Sequence, residues 1–318
     1  MASADYTLKD LGAERVLSIK GVEYRTYYSE RVVRMLIERK GLHRAPLYFP
    51  FKETRGRHFL ERLFRYLAAR GERDLRVLEV GCSFGHITDY LNEQPLVAEI
   101  HTFDVDRAFV EMTRTKVEEL GLSKVRQVLH LTDEETTPLP FPDASFHVVL
   151  AVGVVEHLPA RGRHRYVDEY YRVLAPEGHI AILDTPNRLF PLETHSVGLP
   201  GIQWLPPRLA FRYARLCRPD RMGGVSFEAF RGGAWENAAL RECLPSAGRA
   251  GLEDVTEEAG YGWTFFRDTA RSRIRRAVLP IFAVLCAALR ALRLSPSLAL
   301  PYFNLVFRKR PILEFTPP

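Results

Sequence analysis

The stretch VLEVGCSFGH, residues 77–86, limits what this chain can fold into more than any other segment. An apolar run ending at Val80 is typical of a buried strand, and it passes directly into a turn bracketed by Gly81 and Gly85. Glycine allows a ligand to lie against bare backbone. A helix opening near Gly85 would present free N–H groups to that ligand, with Glu79 as an acceptor in the same crevice. The alternative is a strand-to-helix turn that holds no ligand.

The turn does not match a nicotinamide dinucleotide site. That fingerprint needs glycine at its first, third and sixth positions, whereas this chain has Ser83 at the third and His86 at the sixth. An acidic residue two positions before the first glycine instead suits a cationic ligand with an amino acid end. A nicotinamide oxidoreductase is therefore disfavoured.

Strand and helix patterns alternate between residues 74 and 187, which predicts an α/β fold with a doubly wound, mostly parallel sheet. In this region we expect strands at 76–80, 99–103, 125–130, 146–152 and 179–184, and helices at 85–93, 107–120 and 160–174. Further along, we expect a helix near 236–247, a strand near 252–258 and a last, antiparallel strand at 302–308.

The predicted domain organisation is a helical N-terminal cap, residues 1–70, followed by one α/β domain, residues 71–318. Helical spacing of apolar residues at 30–40 and 58–70 supports the cap. Within the α/β domain, the segment 188–235 is rich in proline, glycine and aromatic residues, and we expect it to be irregular and to cover the substrate side. The segment 265–300 is predicted to be an arginine-rich apolar insertion.

Composition narrows the class of protein. A chain of 318 residues with 46% hydrophobic and 26% charged residues is ordinary for a globular protein. Its four cysteines are scattered, which argues against a disulfide framework or a zinc site. The N-terminal stretch has no apolar signal segment, and no run reaches the 18 or more apolar residues of a spanning helix. We therefore expect a cytoplasmic protein.

Acidic residues follow two of the predicted strands. Asp104 lies about 20 residues beyond Gly85, where a carboxylate can accept hydrogen bonds from both ribose hydroxyls of a nucleoside. The alternative role for Asp104 is as the N-cap of the helix at 107–120. Asp133 and Glu134 follow the strand at 125–130, and the alternative for this pair is a solvated acidic loop.

Five segments in register resemble the class I S-adenosylmethionine-dependent methyltransferases, particularly the group that includes quinone-biosynthesis enzymes. They run from about residue 75 to 187: VLEVGCSFG, the acidic strand end at Asp104, LPFPDASFHVV, VVEHL and YRVLAPEGHIAILDTPNR. The chain departs from the family at Ser83, where glycine is frequent, and at His147, where aspartate is usual.

The resemblance implies S-adenosylmethionine as cofactor and assigns residues to it. Glu79, Gly81 and Gly85 would hold its methionine portion, and Asp104 would bind the ribose. The residues expected around the adenine are Val105 on one face, and Asp133 or Glu134 at its exocyclic amine.

The implied activity is methyl transfer, most simply O-methylation of a small-molecule, sugar or lipid-linked acceptor. A hydroxyl acceptor needs a base to take its proton. The leading candidate is His157 at the end of the fourth predicted strand, since the ordinary pKa of histidine suits this task. His195 is the second candidate, and Glu193 would orient it or act itself. The alternatives are a structural histidine at 157 and a surface loop at 193–195.

Two negative predictions accompany this activity. Some quinone-type relatives bind a metal at a Glu-x-x-Glu-His cluster, but Gly153 occupies the first position here, so no metal is expected. The turn after the fourth strand, AVGVVEH, lacks the Asn/Asp-Pro-Pro-aromatic signature of base-amine methylation, so nucleic acid is not expected as a partner. The competing function is a non-catalytic, cofactor-binding regulatory protein that retains the fold.

Residues 271–293, RSRIRRAVLPIFAVLCAALRALR, combine an arginine cluster with an uninterrupted apolar run that is too short to cross a bilayer. Such a segment can lie in a membrane interface with its arginines on anionic head groups. It can equally be a lid helix or a contact between two copies of the chain. The sequence leaves these three interpretations open, together with the oligomeric state.

Overall fold

A computed structural model describes residues 6–12, 14–246 and 251–311. The chain divides into two compact units, Met1–Asp133 and Glu134–Pro318. The first contains a small antiparallel sheet and a parallel sheet with its helices, and the second contains the remaining strands of the α/β fold. The predicted boundary near residue 70 stays a prediction.

The N-terminal segment begins with strands, so the expectation of a purely helical cap is wrong. Strands β1 (Tyr6–Asp10), β2 (Arg15–Ile19) and β3 (Val22–Thr26) pair antiparallel in the order β1-β2-β3. Lys20 and Gly21 join β2 to β3, both with positive φ (49° and 81°), as a two-residue hairpin turn requires. The alternating pattern around this Lys-Gly pair was the signal that the sequence analysis missed.

Two amphipathic helices follow, where the sequence predicts them. Helix α1 (Glu30–Lys40) begins at Ser29, whose side chain accepts a hydrogen bond from the Val32 N–H. Helix α2 (His58–Ala69) continues from a π-helical turn at Lys52–Arg57. The small sheet and α1 share one apolar cluster, built from residues such as Leu17, Ile19, Val33 and Leu36.

The parallel strands of the first unit are β4 (Leu75–Val80), β5 (Val97–Asp104) and β6 (Val125–His130), in the order β6-β5-β4. Helix α3 (His86–Asn92) connects β4 to β5, and helix α4 (Arg107–Leu120) connects β5 to β6. The carboxyl ends of parallel strands meet at one edge, so the turn after β4 and the residues after β5 lie together.

In the second unit, β7 (Phe146–Val152) pairs parallel with β8 (Leu174–Pro186), and helix α5 (Arg163–Val173) connects them. Strand β10 (Tyr302–Lys309) pairs antiparallel with β8 on one side and with β9 (Leu252–Asp254) on the other. The predicted fold class, α/β with mostly parallel strands and an antiparallel last strand, is confirmed.

The segment between β8 and β9 differs from the prediction in two places, since a helix forms where none was expected and an expected helix does not form. Helix α6 (Pro207–Cys217) forms where an irregular segment was expected, followed by the short helices α7 (Pro219–Met222) and α8 (Phe227–Arg231). The helix expected near 236–247 is wrong: two 3-10 turns, Ala234–Glu236 and Leu240–Cys243, lie there instead. Asn237 separates them with a φ of 54°, which interrupts a right-handed helix.

The arginine-rich insertion forms two helices, α9 (Trp263–Asp268) and α10 (Arg273–Ala291). Helix α10 begins at Ser272, whose side chain accepts from the Arg275 N–H. Among the described residues, no helix combines the length and apolar character that crossing a membrane requires.

Candidate functional site

Glu79 is a buried carboxyl at the end of β4, only 2% exposed. Its Oε2 accepts a hydrogen bond from the Thr88 hydroxyl at 2.5 Å, while no described residue hydrogen-bonds to its Oε1. Burial raises the pKa of Glu79 to about 8, with a smaller contribution from nearby Asp104. The site thus contains a buried acceptor that a cationic ligand would stabilise in its ionised form.

The turn after β4 is held by backbone and side-chain contacts from β5 and α4. The N–H groups of Gly81 and Cys82 both donate to the Phe103 carbonyl at 3.0 Å. The Thr113 hydroxyl donates to the Ser83 carbonyl, also at 3.0 Å. Gly85 has a φ of 72°, and a Cβ there would lie 3.1 Å from the Thr113 side chain. Glycine is therefore required at this position by both conformation and space.

Asp104 ends β5 beside this turn and is partly buried. Its Oδ2 accepts from the Ser83 N–H at 2.8 Å, and its Oδ1 accepts from the Asp106 N–H at 2.9 Å. Desolvation raises the pKa of Asp104, although these hydrogen bonds oppose the shift. The N-cap of α4 is Asp106, whose side chain accepts from the Ala108 N–H. The capping alternative for Asp104 is therefore wrong.

Lys116 of α4 is a buried lysine that the sequence analysis did not single out. Its Nζ donates to the Gly85 carbonyl at 3.0 Å and lies 3.3 Å from Asp89 Oδ2. The Tyr27 hydroxyl also donates to Asp89 Oδ2, at 2.6 Å. Lys116 thus secures the end of the turn, and a lone lysine within an amphipathic helix pattern gives no sequence signal of such a role.

The residues expected near an adenine ring are exposed to solvent. Val105 is 50% exposed immediately after β5. Asp133 and Glu134 are both exposed after β6, with Glu134 opening a short 3-10 turn. Their assignment to a ligand stays a prediction.

In the second unit, a 3-10 turn at Val155–His157 follows β7 and carries two of the candidate groups. Glu156 is buried, at 2% exposed, whereas His157 is an exposed residue. Desolvation lowers the pKa of His157 to about 4, with further repulsion from His195 and Arg163. Desolvation and the neighbouring cations thus favour the neutral form of the His157 imidazole.

His195 lies beside this turn. Its Nε2 is 3.9 Å from Glu156 Oε1, and its ring centre is 5.2 Å from that of His157 at an interplanar angle of 66°. The ligand atoms of Glu156, His157 and His195 all lie within 4.8 Å of one another, so these side chains could hold a metal ion. His195 comes from a distant segment of the chain, whereas the Glu-x-x-Glu-His motif is local, so no sequence pattern indicates this set.

Glu193 organises the loop that carries His195. It is fully buried, and its Oε1 accepts from the N–H groups of His195 and Ser196 at 2.6 and 2.7 Å. Its Oε2 accepts from Val197 and Gly198 at 2.8 and 2.9 Å. Four backbone donors occupy this carboxylate, which gives Glu193 a positioning role for His195.

Arg163 performs a similar task for the turn after β7, and no sequence motif indicates this role. This arginine is 2% exposed at the start of α5. Its guanidinium donates to the carbonyls of Glu156 and Leu158 and to Glu242 Oε2, the last at 2.7 Å. Through these hydrogen bonds, the buried Arg163 holds the backbone of Glu156 and His157 in place.

Comparison with known proteins identifies the domain. A family profile described as "Methyltransferase domain" matches residues 78–182. These residues form a class I methyltransferase domain. The similarity of these residues to S-adenosylmethionine-dependent methyltransferases, implied by the motifs, is confirmed, while the quinone-biosynthesis subgroup stays a prediction.

Curated relatives match parts of the chain. A Mycolicibacterium smegmatis protein named "Probable S-adenosylmethionine-dependent methyltransferase" is 31% identical over 113 residues, covering 36% of this chain and 38% of the relative. An S-adenosyl-L-methionine-dependent Diels-Alderase of Talaromyces variabilis is 25% identical over 196 residues, covering 59% and 62%. An uncharacterised Haemophilus influenzae protein is 29% identical over 141 residues, covering 40% and 55%. The matched parts thus span between 38 and 62% of these relatives.

Solved structures are similar to the chain at low identity. The YcgJ protein of Bacillus subtilis is 18% identical with a TM-score of 0.40, covering 79% of this chain and 99% of its own. A SAM-dependent methyltransferase from Aquifex aeolicus is 21% identical with a TM-score of 0.35, covering 49% and 81%.

Proposed function

We propose that the chain catalyses transfer of a methyl group from S-adenosylmethionine to a hydroxyl of a small-molecule, sugar or lipid-linked acceptor. The observation that carries this proposal is the turn after β4 in the matched domain, where a buried carboxyl and a half-buried carboxylate flank a glycine-bracketed backbone. When bound, the cofactor supplies an electrophilic methyl group on a sulfonium centre.

The residues of the first unit fit this cofactor. Glu79 Oε1 is a buried acceptor with no hydrogen-bond donor among the described residues, which suits the α-ammonium of an amino acid. The two oxygens of Asp104 each accept one backbone hydrogen bond and retain lone pairs that vicinal hydroxyls can fill. Gly81 and Gly85 have positive φ, which bends the chain without side-chain bulk.

The proton of a hydroxyl acceptor requires a base, and we assign it to the histidine pair of the second unit. Two observations favour His195 over His157. The pKa of His157 is lowered to about 4, so its ring is a weak proton acceptor at neutral pH. His195 Nε2 lies 3.9 Å from Glu156 Oε1, close enough for an ionised Glu156 to stabilise the imidazolium formed when His195 takes a proton.

The experiment is methyl transfer from cofactor labelled on the methyl group, using the whole chain and fractionated metabolite extracts. We expect label in an organic-soluble or sugar-containing product, with the label retained through mild acid as for a methyl ether. The matched control is Asp104→Ala, which should abolish labelling at low cofactor concentration. Binding of the cofactor with no labelled product from any extract would favour the non-catalytic alternative.

A second candidate function is suggested by the Diels-Alderase relative. That protein is named as S-adenosylmethionine-dependent although its reaction is a cycloaddition. If the chain also catalyses a cycloaddition, the cofactor would bind without being consumed. The reaction would then be seen as a change in the absorbance of a polyene substrate. Production of S-adenosylhomocysteine in the extract assay separates the two functions.

A further inference from the structure

Helix α10 presents an apolar stripe to solvent. Ile274, Ile281, Val284 and Leu285 are 79, 61, 70 and 47% exposed, and Leu292 just beyond the helix is 69% exposed. With the exposed Ala277 and Ala288, these residues recur at intervals of three and four, so they line one helical face. An exposed apolar face of this length indicates an interaction site.

The other side of α10 is attached to its own unit. Phe282 stacks on Phe190 with ring centres 6.2 Å apart and packs against Phe266 at 4.8 Å. Cys286, four residues on, is fully buried. The helix is therefore anchored through the Phe282 side, which leaves the apolar stripe outward.

Exposed arginines flank the stripe at both ends. Arg271, Arg273, Arg275 and Arg276 are exposed at its start, and Arg290 and Arg293 are exposed at its end. Between Asp268 and Glu314 the sequence contains no acidic residue. Among these arginines, Arg290 forms an ion pair with Glu257 at 3.1 Å.

We propose that α10 docks the protein on an anionic phospholipid surface. An amphipathic helix with apolar residues on one face and arginines beside it lies in the interface, its apolar side among the acyl chains and its cations at the head groups. The charge complementarity favours lipid over a second copy of the chain. A symmetric dimer through this stripe would bring arginines of the two copies together, since both copies contribute the same surface and it carries arginines at both ends.

The test is co-sedimentation of the whole chain with phosphatidylcholine vesicles that do or do not contain phosphatidylserine. We expect binding only when phosphatidylserine is present, weakening as salt screens the arginines. Arg275→Gln with Arg276→Gln should reduce the partition coefficient roughly thirtyfold, because each arginine near an anionic surface contributes about a factor of five. Ile281→Ser with Val284→Ser should reduce it about tenfold or more.

Matched controls alter the same residue types elsewhere on the surface. Arg31→Gln with Arg73→Gln removes two exposed arginines, and Val22→Ser with Leu47→Ser removes two exposed apolar side chains. Both controls should bind vesicles as the unaltered chain does. Thermal unfolding of all four variants should be unchanged, because every altered side chain is exposed.

Three outcomes would overturn the proposal. The first is equal binding to vesicles with and without phosphatidylserine, and the second is equal loss in the patch and control variants. The third is a dimer, seen by light scattering, that Ile281→Ser with Val284→Ser converts to monomer without any effect on vesicle binding. That result would assign the stripe to contact between two copies.

Discussion

The carboxylate of Asp104 accepts a hydrogen bond from the backbone N–H of Ser83, 2.8 Å away, and so joins the end of β5 to the turn after β4. The same carboxylate is the group that we expect to receive the ribose hydroxyls of the cofactor. We therefore expect the shape of the turn and the binding of the nucleoside to depend on one side chain.

The first prediction concerns this residue. Asp104→Ala should weaken cofactor binding by about 1.5–3 kcal/mol, because it removes hydrogen bonds to a charged acceptor. Isothermal titration calorimetry measures the change. The control is Asp106→Ala, which removes the N-cap of α4 and should lower the free energy of unfolding by about 1 kcal/mol while leaving cofactor affinity unchanged. If Asp104→Ala weakens cofactor binding by less than about half a kcal/mol, Asp104 has only a structural role.

The second prediction uses the raised pKa of Glu79. A carboxyl with a pKa of about 8 in the folded chain and 4.5 as its ordinary value stabilises the fold fully below pH 4.5. This contribution is lost as pH rises through 8, by up to about 1.4 kcal/mol for each pH unit. Urea unfolding of the cofactor-free protein should show the decline, and Glu79→Gln should flatten it. The control is Glu118→Gln at an exposed position, which should leave the decline in the free energy of unfolding with pH intact. A decline that is unchanged in Glu79→Gln would show that Glu79 is not its source.

The sequence predicted the parallel strands well because their signals are local. Val77 and Leu78 are apolar and buried on both faces of the sheet, and β7 has the bounds expected from its sequence, 146–152. The turn residues Gly81 and Gly85 were found for the same reason, since their backbone requirement is carried by the residues themselves.

What the sequence did not predict depends on contacts between distant segments. His195 reaches Glu156 from 39 positions away, and Arg163 contacts the carbonyl of Asn237. Lys116 meets the Gly85 carbonyl through the packing of α4 on the turn. The helix wrongly expected at 236–247 has a similar cause, because Arg163 donates to the Asn237 carbonyl and to Glu242 Oε2 within this segment. At these positions the structure is determined by tertiary contacts and not by local propensity.

The third prediction separates the two histidines. His195→Ala should lower kcat by about 10²–10⁴-fold, the contribution typical of a general base, with cofactor affinity unchanged. His157→Ala should lower kcat less than tenfold, because a ring with a pKa of about 4 is a weak base at neutral pH. The exposed His164→Ala is the control on α5. An acid limb of kcat near pH 4 that disappears in His157→Ala would assign the base to His157 instead.

The fourth prediction concerns metal ions. Zn²⁺ should inhibit methyl transfer, because the two histidines and Glu156 offer it three donors within 4.8 Å and the metal would take the nitrogen lone pair that the base needs. EDTA should reverse the inhibition, and Mg²⁺, which prefers oxygen ligands, should not cause it. Loss of activity in EDTA, with recovery at one equivalent of Zn²⁺, would instead make the metal part of the catalytic machinery.

The fifth prediction tests how Glu193 positions His195. Glu193→Gln replaces one acceptor oxygen of a fully buried carboxylate with an amide NH₂, which then faces two backbone N–H groups. We expect the free energy of unfolding to fall by about 2–3 kcal/mol, because a charged acceptor is lost and buried donors are left unsatisfied. Since the displaced loop carries His195, kcat should fall as well, while KM for the cofactor stays constant. The exposed Glu258→Gln should change neither quantity. A variant with full stability and reduced kcat would show that the Glu193 carboxylate acts on the acceptor directly.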